Sequence, residues 1–387
     1  MTYNFDTPIE RRGSDSYKWT DYGDEVLPLW VADMDFISPP AVLEALHHRI
    51  DHGVFGYGRP SPHLPQTICE RMQRLYGWTV TPEQIVFLPG LVSGLNAVCR
   101  AVNEPGAGVL VQTPVYPPFL TAPANQGLIL QTAQLALTAQ ERLLRYDIDY
   151  EVFESAITAE TRLFILCNPH NPVGRCFTRE ELARLADICL RHNIIICSDE
   201  IHCDLLLDGA EHLPIAALSS EVAQQTITLM APSKTFNIAG LECGFAIIQN
   251  SDLMKQFTTL SRGIVPGVNV LGATAALAAY QNGGEWLTQL LAYLTANRDF
   301  LVEYVLENLP SLRTTIPEGT YLAWLDCRDS GIPGNPYHFF LKEARAALGE
   351  GSMFGPGGDG FVRLNFGCTR ATLHEALERM RVALKTV

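Results

Sequence analysis

The middle of the chain alternates short, mostly apolar runs with longer amphipathic segments, and this alternation limits the possible folds more than any other feature. A strand that is apolar on both faces has to be covered on both faces, as in parallel sheets between two layers of helices. The segment between the second and third runs opens with Thr178 and has Glu181 three residues later, the pattern of a helix capping box. We therefore predict an α/β fold with a mainly parallel sheet sandwiched by helices. The four runs are GVLVQTP at 108–114, RLFILCNP at 162–169, NIIICSDE at 193–200 and TITLMAPS at 226–233.

Beyond residue 280 the pattern changes. One long amphipathic helix is predicted from EWLTQLLAYLTANRDFLVEYVLENL, followed by strand-like TYLAWLDC and FVRLNFG and by a last helix from about Ala371. This order is typical of a smaller α+β domain. We expect three parts: an N-terminal segment at 1–45 that packs with the small domain, a large domain at 46–280, and the small domain at 281–387.

Composition and charge exclude several classes of partner. The formal net charge is −14, which disfavours nucleic acid and anionic membrane surfaces. The first residues contain no apolar signal region, and the most apolar window, 264–280, is too short for a membrane span and is interrupted by proline, glycine and asparagine. The ten cysteines form no CxxC pair, which argues against a disulfide scaffold or a zinc site. We expect a cytoplasmic protein without a structural metal.

Polar side chains follow three of the apolar runs at the point where each predicted strand ends. In open α/β sheets, ligands bind beyond the carboxyl ends of the strands. Each pair alone could be ordinary turn or cap chemistry, but three pairs at one edge of a sheet favour a binding site. The pairs are Asn168 with Asn171, Asp199 with Glu200, and Ser233 with Lys234.

An amine, a carboxylate and an amide in one cleft meet the chemical requirements of pyridoxal phosphate. A lysine forms a Schiff base with the aldehyde, a carboxylate keeps the ring nitrogen protonated, and an amide can hydrogen-bond the ring oxygen. Lys234 is the candidate lysine of such a site.

These motifs resemble those of a known family. NPHNPVGR, SDEIHCDL and APSKTFNIAGL, in this order, resemble the fold-type I pyridoxal-phosphate enzymes of the aminotransferase class. Within that class the chain is most similar to the MalY/PatB group of cystathionine β-lyases, also called carbon–sulfur lyases. The further motifs similar to that group are LPLWVADMDF at 27–36, HLPIAAL at 212–218, EGTYLAWLD at 318–326 and FVRLNFGC at 361–368.

The resemblance implies roles for single residues at the reacting centre. Lys234 would form the Schiff base, and Asp199 would pair with the pyridine nitrogen. Asn171 would hydrogen-bond the ring oxygen and contact the substrate, while Tyr116 would stack on the ring face. Arg363 would bind the α-carboxylate of the substrate.

The resemblance also implies how the phosphate is held. Ser233 and the backbone of Gly90, Leu91 and Val92 would bind it, because the N-terminus of a helix attracts anions. Tyr57 would reach the cofactor phosphate and substrate of a neighbouring subunit. A homodimer with shared active sites is therefore expected.

Two positions depart from the usual aminotransferase pattern. Many aminotransferases have a tyrosine three residues after the aspartate, where this chain has His202, which is either a cofactor contact or a satisfied buried histidine. They also have a phosphate-binding arginine eight residues after the lysine, where this chain has Glu242. The missing arginine puts one phosphate contact in doubt and weakens the aminotransferase interpretation.

The function predicted from the resemblance is β-elimination from an amino-acid substrate. L-Cystathionine would yield homocysteine, pyruvate and ammonia, and cystine or another S-substituted cysteine remains an alternative substrate. An aminotransferase would use the same cofactor residues. A pyridoxal-phosphate-binding regulatory protein is the third alternative.

Overall fold

The computed structural model describes residues 2–102 and 104–387. The helices are α1 (Tyr17–Thr20), α2 (Pro40–Asp51), α3 (His63–Tyr76), α4 (Leu91–Val102), α5 (Pro117–Asn125), α6 (Tyr150–Ser155), α7 (Arg179–Arg191), α8 (Ser220–Gln224), α9 (Ser251–Ser261), α10 (Val270–Asn282), α11 (Gly284–Asn308), α12 (Pro336–Phe339) and α13 (Arg370–Leu384). The strands are β1 (Leu27–Pro28), β2 (Ile85–Leu88), β3 (Gly108–Thr113), β4 (Ile129–Gln134), β5 (Ala136–Gln140), β6 (Leu143–Asp147), β7 (Thr161–Cys167), β8 (Ile195–Asp199), β9 (Thr226–Met230), β10 (Gly244–Ile248), β11 (Arg313–Thr315), β12 (Leu322–Asp326), β13 (Ala346–Ala347), β14 (Gly349–Glu350) and β15 (Phe361–Asn365).

A seven-stranded sheet forms the centre of the fold. Its strand order is β2-β10-β9-β8-β7-β3-β4, and β10 alone runs antiparallel to its neighbours. The four apolar runs of the sequence are the parallel strands β3, β7, β8 and β9. The predicted mainly parallel α/β fold is confirmed.

Both faces of this sheet are buried, which explains the continuous apolar runs. Val109 and Val111 of β3 belong to one apolar cluster with residues of α4, α5 and α9, whereas Leu110 belongs to another with residues of α7.

The predicted capping box at the start of α7 is present: the Glu181 amide donates to the Thr178 hydroxyl at 3.2 Å, and the Thr178 amide donates to the Glu181 carboxylate at 2.7 Å.

A second sheet of six strands has the order β14-β15-β12-β11-β6-β5. Its strands β5 and β6 come from residues 136–147, inside the stretch assigned to the large domain, and β6 pairs in parallel with β11. The sequence analysis did not predict this hairpin, because its strands are partly exposed and carry no continuous apolar run. The division at residues 45 and 280 stays a prediction.

The N-terminal segment is tied to the C-terminal part of the chain. Strand β1 pairs in parallel with β13. Lys18 of α1 is buried, and its ammonium donates to the Asp35 carboxylate at 2.7 Å and to the Asp33 carbonyl at 3.2 Å. Asp35 also accepts a hydrogen bond from Arg11 at 2.6 Å. Burial alone would raise the pKa of Asp35, but the charge of Lys18 and the neighbouring donors hold it below its ordinary value.

The structure also bears on membrane, metal and disulfide chemistry. In the described part of the chain, none of the helices has the length and apolarity that a bilayer crossing requires. The same residues hold no cluster of histidine, cysteine and acidic side chains that could bind a metal ion. All ten cysteines are free thiols.

We predict that Lys18→Met lowers the free energy of unfolding of the cofactor-free protein by about 3 kcal/mol, because one partner of a buried ion pair is removed. Methionine keeps most of the side-chain volume, so the loss reports the charge and not a cavity. Urea unfolding at pH 7 measures it.

The matched control is Lys342→Met. Lys342 forms an ion pair with Glu343 at 2.7 Å, but its side chain is 82% exposed, so the change should stay within about 0.5 kcal/mol. Equal effects of the two substitutions would show that the buried pair does not stabilise the N-terminal segment.

Candidate active site

A cavity of about 440 Å³ lies at the carboxyl ends of β7, β8 and β9. Parallel strands end at the same edge of a sheet, so the polar residues after these three strands meet there. Of the predicted side chains, those that line this cavity are Leu91, Val92, Tyr116, Asn171, Asp199, His202, Ser233, Lys234 and Arg363.

Lys234 follows β9 and is half-buried in the cavity wall. Its Nζ donates to the main-chain carbonyl of Ala32 at 2.5 Å. Burial lowers the pKa of Lys234 to about 8; the charge of Arg363 also lowers it, while Asp33 and Asp199 oppose the shift. An amine that titrates near neutral pH can both attack an aldehyde and accept a proton.

Asp199 ends β8, and its side chain is buried. Its Oδ1 accepts a hydrogen bond from the Ile201 amide at 3.1 Å. Burial and the charge of Glu200 raise the pKa of Asp199 to about 7, although Lys234 and the Ile201 amide oppose the shift. A carboxylate in this environment is stabilised by a cation placed against it.

Glu200 plays a different part from its neighbour Asp199. Its carboxylate accepts from the Ser198 hydroxyl at 2.8 Å and from His212 Nε2 at 2.7 Å, and both partners are buried. Glu200 is therefore a structural carboxylate of the sheet edge, and Asp199 is the one that faces the cavity.

Arg363 of β15 is buried, and no carboxylate of the described residues lies within ion-pair distance of it. Its Nη1 donates to Asn171 Oδ1 at 3.0 Å and its Nη2 to the Trp30 carbonyl at 2.6 Å, while its Nε finds no hydrogen-bond partner in residues 2–102 and 104–387. Burial lowers the pKa of Arg363 to about 10. A buried cation with a free donor is a binding site for an anion such as a carboxylate.

The predicted phosphate-binding residues lie where a helix begins. Helix α4 starts at Leu91, and Leu91, Val92 and Ser233 line the cavity. Gly90 directly precedes this helix but is not among the lining residues. The N-terminus of α4 therefore presents its positive end to the cavity.

His202 and Tyr116 contribute to the walls of the cavity. His202 is buried, and its ring lies 6.0 Å from the ring of Tyr321. Its Nδ1 has no hydrogen-bond partner within the part of the chain that the structure describes. Burial lowers the pKa of His202 to about 3, so the ring is neutral. Tyr116 precedes α5, and burial raises its pKa.

Two further positions from the sequence analysis lie outside the cavity. Tyr57 is fully exposed in the segment between α2 and α3. Glu242 is also exposed, so it is not a replacement for a phosphate-binding arginine.

The sequence analysis missed several groups of the site. The Ala32 carbonyl accepts from both Lys234 and the Tyr321 hydroxyl, and Trp30 and Tyr17 line the cavity. Trp30 and Ala32 lie in the motif LPLWVADMDF, which marked the segment without indicating a role. A main-chain acceptor leaves no signal in the residue types, so only the resemblance of this motif to the family could have indicated the segment.

The fold and the site together define a family. The chain belongs to the aminotransferase class I and II family, whose model matches residues 24–380.

Particular relatives are similar over the whole length. The chain is 42% identical to cystathionine beta-lyase PatB of Bacillus subtilis (strain 168) over 390 residues, which cover 98% of this chain and 100% of PatB. The crystal structure of OvoB superposes with a TM-score of 0.94 at 44% identity and covers 100% of both chains. Cystalysin from Treponema denticola, whose crystal structure contains a pyridoxal 5'-phosphate cofactor, superposes with a TM-score of 0.93 at 34% identity over 100% of both chains. The family resemblance inferred from the motifs is confirmed, while the roles of single side chains stay predictions.

We predict that Lys234→Met makes the cofactor-free protein more stable at pH 7. The pKa of Lys234 is about 8 in the folded chain and near 10.5 when the amine is solvated. Between these two pKa values the unfolded chain binds more protons than the folded chain. The contribution of Lys234 to the free energy of unfolding therefore rises with pH over this range. Below pH 8 the penalty for a buried charge is complete, and methionine removes it.

Urea unfolding at pH 7 and at pH 10 measures this difference. The advantage of Lys234→Met should be largest at pH 7 and should shrink as the pH approaches 10.5. A variant that is less stable than the wild type at pH 7 would contradict the depressed pKa of Lys234.

Proposed function

We propose that this protein is a pyridoxal-phosphate-dependent carbon–sulfur β-lyase. It would cleave L-cystathionine, or a related S-substituted cysteine, to a thiol such as homocysteine, pyruvate and ammonia. The observation that carries the proposal is one cavity with two cationic groups: Lys234, an amine with a near-neutral pKa, and Arg363, a buried guanidinium that has no carboxylate partner among the described residues. The similarity to PatB and cystalysin supports it.

The donor set of the cavity fits pyridoxal phosphate. Lys234 would bind its aldehyde, the buried Asp199 would pair with its ring nitrogen, and the start of α4 with Ser233 would hold its phosphate. The unpartnered Nδ1 of His202 is a further polar atom that such a group can satisfy. When bound, the cofactor supplies the electron sink that deprotonation at Cα and departure of the sulfur require.

The side chains of this protein would perform the remaining tasks. Arg363 would bind the α-carboxylate with its charge and its free Nε–H, which fixes the orientation of the substrate amino acid. Lys234 Nζ would then accept the proton from Cα, because its depressed pKa leaves part of the amine neutral near pH 8. The electron pair of the broken Cα–H bond would form the double bond between Cα and Cβ, and the electron pair of the bond between Cβ and sulfur would leave with the thiolate.

We also propose that the working unit is a homodimer in the cytoplasm. Val54, Phe55 and Tyr57 form an exposed apolar stretch between α2 and α3, with Val54 62% and Phe55 55% exposed. A second copy of the chain would cover this stretch and receive Tyr57 at its own cavity. Ten free cysteines favour a reducing compartment.

The test of the proposed reaction is an assay with L-cystathionine and no keto acid, following pyruvate and free thiol together. We expect equal, catalytic release of both products. Lys234→Ala should lower the rate about 1,000-fold or more, because the cofactor anchor and the proton acceptor are lost together.

The matched control for this variant is Lys255→Ala, since Lys255 is an exposed lysine of α9 and should have no effect. Product formation that requires a keto acid in equal amount would support the aminotransferase instead. Unchanged turnover in Lys234→Ala would remove Lys234 from the mechanism.

We predict that Arg363→Ala raises the KM for amino-acid substrates about 10- to 100-fold, with a smaller effect on kcat. This range corresponds to the loss of a charge-assisted hydrogen-bonded pair. The specificity of the effect is checked with an S-substituted cysteamine, which lacks the α-carboxylate and whose KM should not change. Arg328→Ala is the control variant, because Arg328 pairs with Asp326 outside the cavity. An unchanged KM for amino acids in Arg363→Ala would refute the assignment.

A further inference from the structure

Residues 30–34, which we call the strap, have no regular secondary structure, and a side chain donates to every one of their main-chain carbonyls. A buried carbonyl needs a donor, and here the donors come from separate parts of the fold. The donors, in order along the strap, are Arg363 to Trp30, Asn365 to Val31, Lys234 and Tyr321 to Ala32, Asn365 and Lys18 to Asp33, and Asn237 and Arg11 to Met34.

Asn365 is the residue that fixes the centre of the strap. Its Nδ2 donates to the carbonyls of Val31 and Asp33, at 2.6 Å each, and these two residues flank Ala32. Its Oδ1 accepts from the Gly367 amide at 2.7 Å, and the side chain is fully buried. Three of the four hydrogen-bonding positions of the Asn365 side-chain amide are therefore occupied by main-chain groups.

Asn365 and Arg363 are two residues apart in β15, so their side chains lie on the same face of the strand. The strap packs across that face, with the Trp30 carbonyl on Arg363 and the Ala32 carbonyl on Lys234. Asn365 therefore holds the stretch of main chain that carries the Ala32 carbonyl, which is the hydrogen-bond acceptor of Lys234.

We infer that Asn365 is a positioning residue of the active site: by bridging the carbonyls of Val31 and Asp33, it holds the Ala32 carbonyl against Lys234 Nζ and the Trp30 carbonyl against Arg363. The consequence for catalysis rests on the proposed function, whereas the consequence for the lysine itself does not.

The strap also determines how the charge on Lys234 is stabilised. The charged groups that face Lys234 are Asp33 of the strap, Asp199 of β8 and Arg363 of β15, and the neutral His202 lies in the same cavity wall. Asp33 and the Ala32 carbonyl both favour the protonated amine, and both belong to the strap. If the Ala32 peptide is loosened while the strap still covers Lys234, burial and the charge of Arg363 continue to lower the pKa of Lys234. The amine then loses the fixed Ala32 carbonyl and the nearby charge of Asp33, so its pKa should fall further.

The experiment compares Asn365→Ala with Asn297→Ala in the full-length, cofactor-free protein. Asn297 is an equally buried asparagine, and its Nδ2 bridges the carbonyls of Phe366 and Cys368 at 3.0 and 2.8 Å, so it bonds none of the strap carbonyls. Its Oδ1 also accepts a hydrogen bond, from Arg370 at 2.8 Å. The two variants therefore remove the same kind of bridge, and only one of them touches the strap.

The readout is the pH dependence of acetylation of Lys234 by acetic anhydride, followed by peptide mass spectrometry, with the exposed Lys255 as internal reference. We expect Asn365→Ala to move the midpoint of Lys234 to lower pH by about half a unit or more, since a hydrogen bond to the charged form is lost. Asn297→Ala should leave the midpoint unchanged, although both variants should lower the urea midpoint.

A midpoint that stays unchanged in Asn365→Ala, or that shifts equally in both variants, would overturn the inference. If Asn365→Ala does not fold, Asn365→Ser takes its place with the same prediction, because its hydroxyl can still accept from Gly367 while it is too short to bridge the two carbonyls.

A second readout uses the enzyme loaded with pyridoxal phosphate. Asn365→Ala should raise the KM for L-cystathionine several-fold more than Asn297→Ala does, since Arg363 loses its fixed position. If the wild type does not cleave cystathionine, the proposed function fails, and the acetylation midpoints still decide the role of Asn365.

Discussion

Two cations, the half-buried Lys234 and the buried Arg363, line one cavity, and this is the constraint on which the rest of the site depends. Within the described residues neither cation has a carboxylate at ion-pair distance, so each donates to a main-chain carbonyl of the strap instead. Neutral carbonyls compensate a buried charge only in part, and burial lowers the pKa of both groups. An anion such as a substrate carboxylate would stabilise the buried guanidinium of Arg363, and the lowered pKa of Lys234 makes its amine a nucleophile for the aldehyde of a cofactor.

Both sheets are needed to create this arrangement. The central sheet brings Asn171, Asp199 and Lys234 together because β7, β8 and β9 end at one edge. The second sheet supplies Arg363 and Asn365 from β15, and the strap lies between the two sets of side chains. The pairing of β1 with β13 and the buried Lys18 hold the segment that leads into the strap. Stability of the N-terminal segment and geometry of the site are therefore linked.

The sequence was sufficient to predict the central sheet and the residues at its edge, since buried parallel strands are continuous apolar runs and their ends share one side. It was not sufficient for β5 and β6, whose alternating, partly exposed strands join the second sheet only through tertiary pairing. The strap could not be predicted for another reason. Its hydrogen-bond acceptors are main-chain carbonyls, and every residue type has the same main-chain carbonyl. Tyr57 lies outside the cavity of its own chain, so the role predicted for it at the site would require a second subunit.

The most direct measurement of the central claim is the site of attachment of the cofactor. The chain has five lysines, Lys18, Lys234, Lys255, Lys342 and Lys385, so borohydride reduction of the protein loaded with pyridoxal phosphate, followed by peptide mapping, gives an unambiguous answer. We predict a single stoichiometric label on Lys234. A label on another lysine, or a protein that takes up no stoichiometric label, would contradict the account.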